Sequence, residues 1–236
     1  YYLWSMAEGI YKITENFEKR VAAYTGAPYA VAVDCCTNAI FLSLTYLGVK
    51  HQDIMIPSRT YMSVPCTIIQ TGNYVVFDKS QNPSLKGEYR LGATPVWDSA
   101  LRFTSNMYIP GRFQCLSFSG PNKILKLSKG GMILTDDEEA YVWLKKARFS
   151  GRNEQPYHTD VFTQLGWNMY LLPELATRGL LLMDGISLYN NDKELPYPDL
   201  SQFDIYRTEY PYQAKANEIN NERIFIDPRT GDVTIK

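Results

Sequence analysis

The chain has 236 residues, with 24 Lys and Arg against 25 Asp and Glu and two His, a formal net charge of −1. This length accommodates one domain, or one with an appendage, at roughly 150 residues per domain. Hydrophobic residues at 45% and charged residues at 21% exclude a wholly disordered chain and an extended coiled coil, and the even charge excludes the Lys/Arg excess of a nucleic-acid or anionic-membrane binder.

In chain order, residues 13–24 carry Ile13, Phe17, Val21 and Tyr24 at helical spacing, with Gly26 as a stop. Residues 29–33 (YAVAV) read as a short buried strand, 37–47 as a helix ending at Gly48, and 53–56 as a strand cut by Pro57. A helix over 65–71, ended by Gly72, and a strand over 74–77 follow. Strand and helix in alternation argue for βαβ units and a largely parallel sheet. After a polar loop over 79–92, strands are expected at 94–97, 113–118 and 131–135. Thr135 and Glu138 form a capping box that opens a helix over 136–148. A helix over 172–183 is apolar on most sides, which places it inside the fold or at a subunit contact. From Tyr189 periodicity fades, although 223–235 has the pattern of a hairpin. The expected division is an α/β unit over 1–188 and an irregular extension over 189–236.

No apolar run reaches the roughly 18 residues of a membrane span, and the opening residues lack the basic flank and apolar core of a signal peptide. A cytoplasmic, membrane-free protein is therefore expected. Cys35, Cys36, Cys66 and Cys115 lack the spacing of a zinc site and read as reduced thiols, and no metal site is expected at His51 or His158.

Ligands of an open parallel sheet bind where strands end and helices begin. Three such places carry chemistry. Asp34 to Asn38 lies at a helix start, where free N–H groups and the helix dipole favour an anion, although Thr37 could equally cap the helix. Asp98 stands directly behind a buried strand, where a carboxylate wants a cationic partner. The stretch 116–131 leads through a Gly/Pro loop to Lys123 between apolar neighbours, with Lys126 and Lys129 close by. An amine in apolar surroundings has a lowered pKa and becomes a usable nucleophile, yet residue type alone does not choose among the three. Anion cradle, Asp and Lys together are the set that pyridoxal phosphate requires.

With these residues in place, the chain from about Phe17 to Met183 resembles the DegT/StrS group of pyridoxal-phosphate sugar aminotransferases, of the aspartate aminotransferase fold (fold type I). Cys35-Cys36-Thr37-Asn38-Ala39-Ile40 is similar to the family's Ser-Gly-Thr-x-Ala-Leu phosphate turn, with Cys36 in place of Gly. The segment Asp53 to Tyr61 resembles the family's Asp-Glu-Val-Ile-x-Pro-x-x-Thr-Phe, which gives Tyr61 the role of stacking on the cofactor ring. Val96 to Ala100 is similar to Glu-Asp-x-Ala-Gln/His, which makes Asp98 the partner of the pyridine nitrogen and leaves Leu101 where the family has Gln or His. Leu116-Ser117-Phe118 through Lys123 to Gly130-Gly131 resembles the Schiff-base segment, selects Lys123 over its neighbours, and contains one extra residue, so that either Ser117 or Ser119 meets the phosphate. Leu165 to Met169 is similar to the family's Gly-Tyr-Asn segment, which reaches the neighbouring subunit's phosphate; Asn168 then contributes across a homodimer with shared active sites, and Tyr170 replaces the usual Arg.

The resemblance implies a three-layer sandwich with a mostly parallel central sheet, reduced between Asp78 and Pro95 and with the small C-terminal domain lost or replaced by the tail. It implies transfer of an amino group from an amino acid such as glutamate to a nucleotide-linked keto sugar, through a Lys123 aldimine. The alternative is a degenerate relative that binds pyridoxal phosphate or a nucleotide sugar as a regulatory module.

Overall fold

The structure, a computed structural model, describes residues 2–78, 84–155, 157–206, 224–226 and 233–235. The first half follows the expected alternation: α1 (Tyr2–Thr25), β1 (Tyr29–Val33), α2 (Cys36–Tyr46), β2 (Asp53–Pro57), α3 (Ser63–Gln70) and β3 (Tyr74–Asp78). Helix α1 starts earlier than its clearest periodicity, and it ends where Gly26 turns at φ +78°. Pro57 closes β2 as its last residue instead of lying beyond it.

The segment read as a polar loop contains two short strands, β4 (Leu85–Lys86) and β5 (Tyr89–Arg90). Then come β6 (Val96–Asp98), β7 (Phe113–Ser117), β8 (Gly131–Thr135), α4 (Glu138–Ala147), α5 (Pro173–Met183) and β9 (Glu194–Leu195). The cap of α4 is Asp137, whose side chain accepts from the Ala140 N–H at 2.9 Å. The expected Thr135 box is thereby displaced by two residues, and the Thr135 hydroxyl accepts from the Asp137 N–H instead. The C-terminal hairpin pattern forms β10 (Ile224–Ile226) and β11 (Val233–Ile235), paired antiparallel.

The central sheet has the order β1-β8-β7-β6-β5 and is mixed, which corrects the expectation of a mostly parallel one. Only β6 and β7 run parallel within it; β1–β8, β7–β8 and β5–β6 are antiparallel. The reason lies in the connections. A parallel neighbour needs a crossover, which α3 supplies between β2 and β3, whereas β5–β6 and β7–β8 are joined by loops that turn the chain straight back. The β2–β3 pair abuts β5: the Gly92 N–H donates to the Met55 carbonyl at 2.9 Å, and a Cβ on Gly92 would stand 3.2 Å from Ile54 Cα.

Alternation along buried strands builds three layers. Val31, Val33, Cys115 and Ile133 face Ile40 and Leu44 of α2 and Leu144 of α4. Ala30, Ala32, Leu116, Met132 and Leu134 face Phe17 and Val21 of α1 and Ala176 and Met183 of α5. Helix α5 packs so closely that a Cβ on Gly179 would lie 2.6 Å from the Phe17 ring, yet Leu181 and Leu182 on its other side are exposed.

Residues 189–206 lie back on this core. Asn190 donates to the Tyr24 hydroxyl, Asp192 pairs with Arg102 at 2.7 Å, β9 pairs with β4, and the Leu200 N–H donates to the Ser58 carbonyl.

Candidate active site

A cavity of about 500 Å³ opens at the carboxyl ends of β6 and β7, against the start of α2. Cys36, Thr37, Tyr61, Asp98, Ser117, Ser119 and Lys123 all line it, although they come from separate parts of the chain. Asn168 is exposed, bridges to Phe149, and does not line the cavity.

Asp98 ends β6, where the parallel pairing with β7 places it opposite Cys115 in the interior. Its Oδ1 accepts from the Ala100 N–H at 2.9 Å and faces the Cys36 thiol at 3.8 Å; its Oδ2 accepts from the Tyr89 hydroxyl at 3.0 Å. Burial pushes its carboxyl above the ordinary carboxylate range, against the pull of these donors and of Lys123. Among the described residues it makes no ion pair, so the acid has room for a cationic N–H from a ligand. A carboxylate offers about four acceptor positions, and the Ala100 N–H and the Tyr89 hydroxyl take two of them.

Lys123 is the buried one of the three lysines; Lys126 is exposed, and Lys129 is exposed and held by Asp34 at 3.0 Å. Its Nζ donates to the Ala100 carbonyl at 3.0 Å. Burial lowers its pKa from the ordinary lysine value, opposed by Cys36 and Asp98. An amine so placed loses its proton more readily than a solvated one and becomes nucleophilic.

The anion side is formed by α2 and the loop before β8. The N-cap residue of α2, Cys35, makes no side-chain cap bond. The Thr37 hydroxyl shares a hydrogen bond of 2.6 Å with Ser63 at the start of α3. Gly131 lets β8 approach this turn, since a Cβ there would stand 2.5 Å from the Cys35 carbonyl carbon and 2.6 Å from the Cys36 nitrogen. The two serines differ in how they are bonded. Ser119 Oγ is committed to both the carbonyl and the N–H of Gly130, whereas Ser117 Oγ accepts only a long bond of 3.4 Å from the Ser119 N–H. Cys36 Sγ donates to the Cys115 carbonyl, and burial beside Asp98 raises its pKa well above the ordinary thiol value, so it is a packing group.

Tyr61 is half exposed at the cavity edge, with its ring 6.2 Å from that of Tyr197 in an edge-to-face arrangement. Tyr197, Leu195, Leu85, Tyr89 and Thr60 are parts of the site and its support that the sequence did not reveal. Tyr197 and Leu195 lie in the aperiodic tail, and Tyr89 lies in the segment read as a loop, so none carried a periodic or motif signal.

The fold is similar to that of solved aminotransferase structures. A putative sugar aminotransferase from Streptococcus pneumoniae, in its PMP form, superposes with a TM-score of 0.59 at 18% identity, over 73% of this chain and 58% of that one. The aminotransferase TlmJ from Streptoalloteichus hindustanus gives 0.59 at 22% identity over 73% and 58% of the two chains. By sequence, residues 5–85 match the model of the DegT/DnrJ/EryC1/StrS aminotransferase family. The spore coat polysaccharide biosynthesis protein SpsC of Bacillus subtilis (strain 168) is 47% identical over 64 residues, which are 27% of this chain and 16% of that protein. The chain thus spans less than two thirds of the length of each of these relatives. No described helix is long and apolar enough to cross a membrane.

Proposed function

We propose that the cavity binds pyridoxal 5'-phosphate, and that the protein transfers an amino group from an amino acid such as glutamate to a nucleotide-linked keto sugar. The observation that carries this reading is the pairing of a buried, ion-pair-free acid with a buried amine across one turn: Asp98 accepts from the Ala100 N–H and Lys123 donates to the Ala100 carbonyl. Buried charges without partners are costly, and a cofactor with a cationic ring nitrogen and an aldehyde answers both groups. The family matched by residues 5–85 supports aminotransfer, and the names of the relatives support a sugar acceptor.

When bound, the cofactor supplies an electron sink for the substrate's α-carbon. Asp98 holds the proton on the ring nitrogen through a remaining acceptor position. Lys123 Nζ would be the attachment point for the cofactor, and this amine would accept and return the proton at the reacting carbon. The start of α2, Thr37 and Ser117 hold the phosphate, with Ser119 shaping the loop through Gly130. Tyr61, at the cavity edge, would stack on the cofactor ring, and Ile40, Leu101 and Leu195 would exclude water from the apolar side. Asn168, exposed in one protomer, reaches the partner's phosphate in a homodimer, with the bare Leu181–Leu182 side of α5 available for subunit contact. Four free cysteines suit a reducing, cytoplasmic setting.

The test is a visible absorption spectrum of the purified protein with added pyridoxal phosphate, before and after borohydride, followed by peptide mass mapping. A visible band and a reduced cofactor fixed on Lys123 are expected. Absence of any band at saturating cofactor overturns the reading, and fixation on Lys126 or Lys129 overturns the assignment of Lys123.

A further inference from the structure

The segment between β3 and β6 delivers a side chain to the centre of the site. Tyr89 of β5 stands directly across from Asp98 in the antiparallel register, and such pairs share one face of the sheet. Its ring is buried, its hydroxyl donates to Asp98 Oδ2 at 3.0 Å, and the Thr60 hydroxyl, itself fully buried, lies 2.7 Å from the Tyr89 hydroxyl oxygen. Burial beside Asp98 raises the Tyr89 pKa well above the ordinary phenol value, so the phenol keeps its proton and donates it to the acid. The direction of the chain is then Thr60 to Tyr89 to Asp98.

The neighbouring residue fixes the strand that carries this phenol. Glu88 accepts from Arg102 at 2.7 Å, Arg112 at 3.2 Å, Ser99 Oγ at 2.7 Å and Gln114 Nε2 at 2.9 Å, and its side chain is almost wholly buried. Arg112 in turn lies over the Trp97 ring at 3.6 Å. Thus β5 is held by four donors beside a single charge, and Tyr89 has little freedom to leave Asp98.

We infer that Tyr89 is a positioning residue for Asp98: its hydroxyl fixes the carboxylate's orientation and stabilises its charged form, leaving an open acceptor position for the cofactor's ring nitrogen. This rests on the proposed role of Asp98 as the partner of that nitrogen. The groups that face the Asp98 carboxylate are Tyr89 from β5, Cys36 from α2, Cys115 from β7, Lys123 from the loop after β7 and Tyr197 from the tail. Of these, Tyr89 is the one whose loss removes a hydroxyl donor from Oδ2 without removing a wall of the cavity.

The experiment measures pyridoxal phosphate affinity as a function of pH for the full chain, for Tyr89→Phe, for Asp98→Asn and for the double variant. A hydrogen bond to a charged group is worth roughly a factor of ten or more in a binding constant, so Tyr89→Phe is expected to weaken the cofactor about tenfold near neutrality. Loss of the donor raises the Asp98 pKa, so the fall in affinity on acidification starts at higher pH in Tyr89→Phe. In the Asp98→Asn background the same substitution is expected to add much less, because the two groups act as a unit. Unchanged affinity in Asp98→Asn overturns the reading of Asp98 itself. A weakened Asp98→Asn with an unmoved pH profile in Tyr89→Phe overturns the role of Tyr89 alone. Should the phenylalanine variant not fold, Thr60→Val removes the donor behind Tyr89; a shift of the acid limb in the same direction supports the inference, and none overturns it.

Discussion

Lys123 and Asp98 are tied to one another through Ala100: the amine donates to its carbonyl at 3.0 Å and the acid accepts from its N–H at 2.9 Å. One turn after β6 therefore sets both groups, and the amine sits in the interior with a carbonyl for a partner instead of a carboxylate. Replacing it by an apolar side chain of similar length is expected to stabilise the cofactor-free protein. Lys123→Met should gain on the order of 1 kcal/mol at pH 7, because a poorly solvated ammonium is removed. The sign with pH follows from the lowered pKa: the unfolded chain binds the proton more tightly, so the destabilisation is complete below the folded pKa and relieved as pH rises towards the ordinary lysine value. Denaturant unfolding at pH 7 and pH 10 checks it. The advantage of Lys123→Met should shrink at the higher pH, while cofactor fixation by borohydride is lost at both.

Gly131 sets how closely β8 approaches the start of α2. A Cβ at this position would lie 2.5 Å from the Cys35 carbonyl carbon, against backbone that cannot rotate away. Gly131→Ala is expected to push the α2 turn outward and to cost about 1–3 kcal/mol, the usual range for overpacking a close contact. The same displacement should weaken the phosphate end of the cofactor more than the ring end. A larger loss of affinity for pyridoxal phosphate than for pyridoxal, measured by absorption titration, is the expected signature. Equal losses for the two would remove the assignment of this turn to the phosphate.

The parts of this arrangement that were legible are those with period or motif. YAVAV is buried on both faces, and β1 falls where the sequence places it. The order of turn, Asp98 and Lys123 along the chain survives as one cavity because parallel β6 and β7 present their carboxyl ends together. Strand direction was less legible. The spacing from β7 to β8 is compatible with either hand of pairing, and the loop over 118–130 returns the chain antiparallel through the Leu127–Phe118 hydrogen bond. Strands of two residues such as β4 and β5 are too short to show alternation, so Tyr89 and Glu88 read as loop residues although they anchor the site. Tyr197 comes from a segment with no periodicity, and its position is set by polar contacts, with Arg59 donating to its carbonyl at 3.0 Å.

Tyr197 forms part of the cavity wall, and burial near Asp98 pushes its phenol up to about 12. Tyr197→Ala takes away this wall and the edge-to-face contact with Tyr61, which is worth on the order of 1 kcal/mol. The cavity then becomes more open to solvent. Lys123 should react several-fold faster with an amine-labelling reagent such as trinitrobenzenesulfonate, read by peptide mass, while Lys126, already exposed, should be unchanged. An unchanged Lys123 rate would show that the tail does not shield the amine.

The fold's largest fully buried side chain is a cation. Arg148, at the end of α4, donates to Glu18 of α1, to the Ala32 carbonyl of β1 and to Glu154 at 2.6 Å, while Glu18 also accepts from the Ala32 N–H at 2.8 Å and from Lys145 at 3.0 Å. The network joins α1, β1 and the end of α4 at the sheet edge, away from the cavity. Removing one partner leaves the other's charge in the interior, so Arg148→Met is expected to cost about 3–5 kcal/mol. Glu18→Leu should cost a similar amount, because Arg148 then retains Glu154 as its one carboxylate partner among the described residues, beside the Ala32 carbonyl. The double variant should lose less than the sum of the two, since removing both charges leaves no unpaired ion between the helix and the strand. Urea unfolding of the four proteins measures this coupling directly. Additive losses would mean that the two side chains contribute independently, through packing and not as an ion pair.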